Sequence, residues 1–144
     1  MGKKNKFGPR YGKESKKERF ISLTFKLLDS LAWQYLTSAD KAVFISIKRR
    51  FNGINNGEIS LSVRQIVAEN KISINTASAS LKHLQQKGLI SLMKYGYFGS
   101  HMASTWKLNT DKNPGYSPSN EWKKWKPGDD FTNGIPVTQE NQTV

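Results

Sequence analysis

The chain contains no cysteine. That excludes disulfide staples, thiolate metal sites and cysteine nucleophiles, and it fits a reducing cytoplasm. No apolar run approaches the ~20 residues that a membrane span requires. The N-terminus carries charge without an apolar stretch behind it, unlike a secretory signal. Acidic residues are scarce, with 11 Asp and Glu against 23 Lys and Arg, for a net charge of +12 over 144 residues. Hydrophobic residues make up only 36%, low for a chain packed from end to end, and they concentrate between Phe20 and Leu108. One modest domain with polar tails is expected.

The positive excess is unevenly placed. Residues 1–19 carry eight Lys and Arg against two Glu, residues 20–108 carry eleven against four acids, and residues 109–144 carry four Lys against five acids. A charge of about 2–8 already suffices to keep a small domain soluble. The surplus points to a polyanionic partner, double-stranded DNA first.

The stretch "MGKKNKFGPRYGKESKKER" reads as a basic, disordered arm over residues 1–19. Its cations Lys3, Lys4, Lys6, Arg10, Lys13, Lys16, Lys17 and Arg19 are candidates for phosphate contacts.

From Phe20 the apolar pattern becomes periodic. Leu23, Leu27, Leu31 and Tyr35 fall on one helical stripe, predicting a helix over 22–36 with Ser22 as its N-cap. Such a stripe is one place for a homodimer interface. Thr37 and Asp40 have capping-box spacing ahead of a second helix, in which Val43, Phe44, Ile47 and Phe51 share a face. Asn-Gly at 52–53 ends it. "NNGEISLS" predicts a turn and a short strand with Ile59 and Leu61 facing inward. Ser62 and Gln65 form another capping box, opening the helix "VRQIVAEN".

The segment "ISINTASASLKHLQQKGLI", residues 72–90, predicts the next helix, with Ser73 as N-cap. At 100° per residue Ala77, Leu81 and Leu84 share one side, while Asn75, Ala79, Lys82 and Gln86 fall opposite. Ile66, Ile72 and Leu81 are placed to form the seam with the preceding helix. Two strands follow, in which Ile90 and Leu92 alternate with Ser91 and Met93, and Trp106 and Leu108 alternate with Thr105 and Lys107. Residues 110–144 read as a polar tail, interrupted near 119–126 by Trp122 and Trp125. These predict a short helix docking on the chain's own domain or on a protein partner.

In "LSVRQIVAENKISINTASASLKHLQQKGLI", "YGYFG" and "ASTWKLN" the chain resembles the small winged helix-turn-helix DNA-binding proteins of bacteria, their phages and plasmids. That group includes transcription regulators and replication-initiator modules. The resemblance covers about residues 20–109. It implies a mainly α fold with a small β-sheet (α+β), in which helix 73–87 enters the major groove and a wing over 94–104 lies on the backbone or minor groove.

On that reading Asn75 is placed to contact adenine, Ser78 to contact several bases, and Ile74 to meet a thymine methyl. Ser73 and Thr76 complete the face. Ala79 stands where relatives often carry a long basic residue, which weakens guanine reading. Arg64, Lys71, Lys82 and Lys94 are candidates for phosphate contacts. Tyr95, Tyr97 and His101 belong to the wing.

Catalysis is not expected. The two histidines, His83 and His101, lie in separate elements, and no H-x-x-x-H, Walker A or G-x-S-x-G motif is present. No cofactor or metal is implied. The leading expectation is a cytoplasmic transcription regulator bound to DNA. The alternatives are a replication or DNA-organising module of the same fold and a protein-interaction adaptor.

Overall fold

The structure is a computed structural model and describes residues 18–96, 102–112, 118 and 120–131. Among these residues the chain forms six helices and a small three-stranded antiparallel sheet. Two four-residue helices, α1 (Phe25–Leu28) and α2 (Leu31–Gln34), precede α3 (Ser38–Arg49). A two-residue strand, β1 (Ile59–Ser60), leads into α4 (Val63–Asn70) and α5 (Ile74–Gln86). Strands β2 (Ile90–Lys94) and β3 (Thr105–Leu108) follow, and α6 (Glu121–Lys124) lies near the end.

The N-terminal region departs from the single helix expected over 22–36. Ser30 divides it: its hydroxyl donates to the Leu27 carbonyl at 2.6 Å and accepts from the Trp33 amide at 3.2 Å. The same side chain closes one helix and caps the next, which is how serine competes with helix continuation. The N-cap of α1 is Thr24, not Ser22. The break also dismantles the apolar stripe. Leu27 is buried, Leu23 is half-buried, and Leu31 and Tyr35 are exposed, while Ala32, Trp33 and Leu36 turn inward instead. The continuous face on which a homodimer through helix 22–36 depended is therefore absent.

Helices α3, α4 and α5 begin where their capping residues stand. Thr37 and Asp40 form a complete capping box on α3, Ser62 and Gln65 one on α4, and Ser73 caps α5 by accepting from the Thr76 amide. Val43, Phe44 and Ile47 of α3 are fully buried, as are Ile66 of α4 and Ala77 and Leu84 of α5. Trp33 meets Phe44 edge to face, with ring centroids 5.5 Å apart.

The sheet order is β1-β3-β2. Trp106 sits in the middle strand opposite Ile59 on one side and Leu92 on the other, and Leu108 pairs with Ile90. Trp106 and Leu108 face inward as their alternation requires, and the Trp106 indole donates to the Leu61 carbonyl at 3.0 Å. Ser91 breaks the alternation of β2: it is buried, because the Asn109 side chain donates to its hydroxyl at 3.1 Å and to the Gly88 carbonyl at 3.0 Å. Asn56 makes similar use of its amide. It donates to the Leu108 and Asp111 carbonyls and accepts from the Leu108 amide, so the end of β3 beyond its short pairing with β1 is satisfied by a side chain.

The core continues past residue 109. Trp122 and Trp125 are buried in the same cluster, so the Trp segment docks on its own domain. Trp125 donates from its indole to Asp130 at 3.0 Å and meets Tyr35 edge-on, and the Lys87 ammonium lies 4.6 Å from its ring centroid. The Phe131 amide donates to the Gln86 carbonyl at 2.8 Å. Gly88 has φ +77°, and a Cβ there would come within 3.0 Å of the Phe131 ring and 3.2 Å of the Trp122 backbone nitrogen. Both the turn and the docked segment therefore require glycine. Both indoles are thus covered by residues of this chain. Among the described residues no helix is long and apolar enough to cross a membrane.

Candidate nucleic-acid interface

The outer side of α5 is the candidate site, and three sets of contacts fix its direction. The first is the turn from α4. Lys71 adopts the left-handed conformation, φ 56° and ψ 45°, and its amide donates to the Val67 carbonyl, so the chain reverses within three residues. The second is apolar: Ile66, Ala77 and Leu81 are buried between the two helices, with Ile72 partly buried beside them. Alanine at 77 allows close approach. The third ties α5 to α3. The Nδ1 of His83 lies 3.0 Å from both carboxylate oxygens of Asp40, which is only 1% exposed.

Burial alone would raise the Asp40 carboxyl. The Thr37 amide, the Ser80 hydroxyl and His83 outweigh it and hold the group below its ordinary value. Ser80 is buried, and its hydroxyl is one of the groups that lower the Asp40 carboxyl. The trio therefore ties α3 to α5 as an interhelical lock.

With its inner side held, α5 presents Asn75, Thr76, Ser78, Ala79 and Lys82 to solvent, and Ile74 is 61% exposed. Ser73 is exposed as well, and its hydroxyl donates to the Thr76 Oγ1 at 2.9 Å while accepting from the Thr76 amide. Arg64, Lys71, Lys94 and Tyr95 are exposed around this face. Arg64, Lys71, Lys82 and Lys94 have no ion-pair partner among the described residues.

Only one acidic residue, Glu69, occurs between Val63 and Gln86. Arg50, the C-cap of α3, engages both its oxygens, and the guanidinium holds the Glu69 carboxyl below its ordinary value despite some burial. The helix pair therefore carries unpaired positive charge and no unpaired carboxylate, the sign required to approach a polyanion.

Of the residues expected in the wing, Tyr97 and His101 lie outside the described residues. So do the arm cations Lys3, Lys4, Lys6, Arg10, Lys13, Lys16 and Lys17. Arg19 is described and exposed. It lines an open depression of about 400 Å³ with Phe20, Ile21, Ile45, Arg49 and Phe51.

Sequence reasoning missed the pairs Asp40–His83 and Arg50–Glu69, which orient and neutralise the site. Asp40 had a sufficient local explanation as a capping residue, and nothing local couples positions 43 residues apart. Among the described residues no cluster of His, Asp or Glu could hold a metal ion. No family model, curated protein or solved structure matches the chain.

Proposed function

We propose that this protein binds double-stranded DNA as a winged helix-turn-helix domain. In this reading α4 and α5 form the helix-turn-helix, and the β2–β3 hairpin forms the wing. Helix α5 enters the major groove with its N-terminal residues leading. Asn75 is the residue best equipped to read a base, since one amide carries both a donor and an acceptor. Arg64, Lys71, Lys82 and Lys94 contact phosphates, which position the helix without conveying sequence. The basic arm and the wing add contacts to the backbone or minor groove. The biological role that fits is transcription regulation in the cytoplasm of a bacterium or a phage-infected cell.

The observation that carries this reading is the outer side of α5. It is exposed, free of carboxylates and flanked by unpaired cations, although the inner side of the same helix is tied to three other elements. The test is fluorescence-detected binding to random duplex across a salt series, followed by selection from a random-sequence library. A regulator binds duplex and enriches a defined site. Salt-sensitive binding without enrichment favours a replication or DNA-organising module, a second reading motivated by the short side chains at Ser78 and Ala79. No binding would remove the DNA reading and leave a protein-interaction adaptor.

A further inference from the structure

We infer that α5 selects A·T base pairs, reading thymine by its C5-methyl group and adenine by its major-groove edge. This inference rests on the DNA-binding reading above and concerns which bases the helix accepts.

Residues 74–81 contain no Lys or Arg. The commonest specific contact to guanine is a guanidinium or ammonium on O6 and N7, and these first turns of α5 hold no group able to make it. They also contain no carboxylate, the usual acceptor for the cytosine amino group. What they expose is one amide and several methyl groups.

Asn75 and Ala79 lie near the centre of the outer side, one turn apart, and both are exposed. Ile74 stands at the edge with 61% of its surface exposed, although it opens a helix whose other large aliphatic residues, Leu81 and Leu84, are buried. The packing of the domain does not account for an isoleucine there. The Thr76 oxygen already accepts from Ser73, and its exposed side chain still offers a methyl group, the hydroxyl proton and one further acceptor site. The thymine methyl is the one apolar group on a major-groove edge. An isoleucine, an alanine and a threonine methyl around a single carboxamide therefore complement A·T pairs, while G·C pairs are left only the short Thr76 and Ser78 hydroxyls and the Asn75 carboxamide, without the charged bidentate contact that guanine most often receives. Lys82, farther along the helix, supplies charge to phosphate.

The experiment replaces thymine by deoxyuridine, position by position, in the duplex recovered from library selection. Uracil keeps the base pair and every hydrogen-bonding group but loses the methyl. Affinity should fall roughly fourfold for each contacted methyl removed, the equivalent of burying one such group. Ile74→Ala should abolish the penalty at one of those positions. The position is mostly exposed, so the variant keeps the parent's fold, which a thermal melt verifies. A selected core rich in G·C pairs, or equal affinity for the thymine and uracil duplexes, would overturn the inference while leaving DNA binding intact. Failure to bind any duplex would overturn the functional reading, and this one with it.

Discussion

The two sides of α5 are built from residues of similar size and differ in what they touch. Ala77, Ser80, Leu81 and Leu84 are buried, against α4, α3 and the sheet; Asn75, Ser78, Ala79 and Lys82 are exposed to solvent. A rotation of about half a turn separates the part of the helix that stabilises the domain from the part available to a ligand. The small inner residues let neighbouring helices approach. On the reading proposed here, the small outer ones let the helix backbone approach a groove. Stability and recognition should then respond to different substitutions on one element.

The largest effect is expected on the inner side. Leu84 is fully buried, and Leu84→Ala should cost about 2–5 kcal/mol, a large share of the ~5–15 kcal/mol typical of a domain. Chemical denaturation measures it. A midpoint equal to the parent's would mean that the inner side does not hold the helix.

Asp40→Ala comes next. It leaves the buried Ser80 hydroxyl and the Thr37 amide without their acceptor, at roughly 1–3 kcal/mol. This loss should depend on pH. The Asp40 carboxyl is held below its ordinary 3.8 in the folded chain, so its contribution is present above that value and disappears as pH falls through the lowered one. Parent and variant should therefore converge in acid. A constant difference across the pH range would show that the charge on Asp40 is irrelevant to the lock.

Lys71→Gly should separate the two roles by sign. The left-handed backbone at this position costs a non-glycine residue about 1–2 kcal/mol, and glycine returns about 0.4–1 kcal/mol of that through a more flexible unfolded chain. Stability should rise by roughly 0.5–1 kcal/mol, while affinity falls on every duplex alike as a phosphate contact is lost. The smallest stability effect belongs to Lys82→Ala, an exposed change expected within about 0.5 kcal/mol of the parent. Its signature lies in binding, where the slope of log K against log salt should shrink by about 0.9. An unchanged slope would take Lys82 off the phosphate backbone.

The sequence carried the inner side of this comparison well. Capping residues at Thr37, Ser62 and Ser73, followed by apolar residues at helical spacing, mark the starts of α3, α4 and α5. Trp106 and Leu108 face inward as alternation requires. The misreadings have physical causes. Over 22–36 the periodicity continued through Ser30, and local pattern could not decide whether that hydroxyl would face solvent or cap a new helix. Ser91 is buried only because Asn109 approaches from 18 residues away. The Trp122 and Trp125 spacing suggested a docking helix but contained nothing about its receptor, which is assembled from Tyr35, Lys87 and Gly88. Exposure of the α5 face was legible from the helical wheel. Its freedom from negative charge was only half legible, because the neutralisation of Glu69 depends on Arg50 at the C-terminal end of α3.

The central claim is that the outer side of α5 reads bases, and Asn75→Ala tests it most directly. The side chain is exposed and caps nothing, so folding should be almost untouched. Titrations of parent and variant against the selected site and a scrambled duplex, at one salt concentration, measure the effect. The account predicts a loss of roughly 1–3 kcal/mol on the selected site and much less on the scrambled one. Equal losses on both duplexes, or no loss on either, would contradict it.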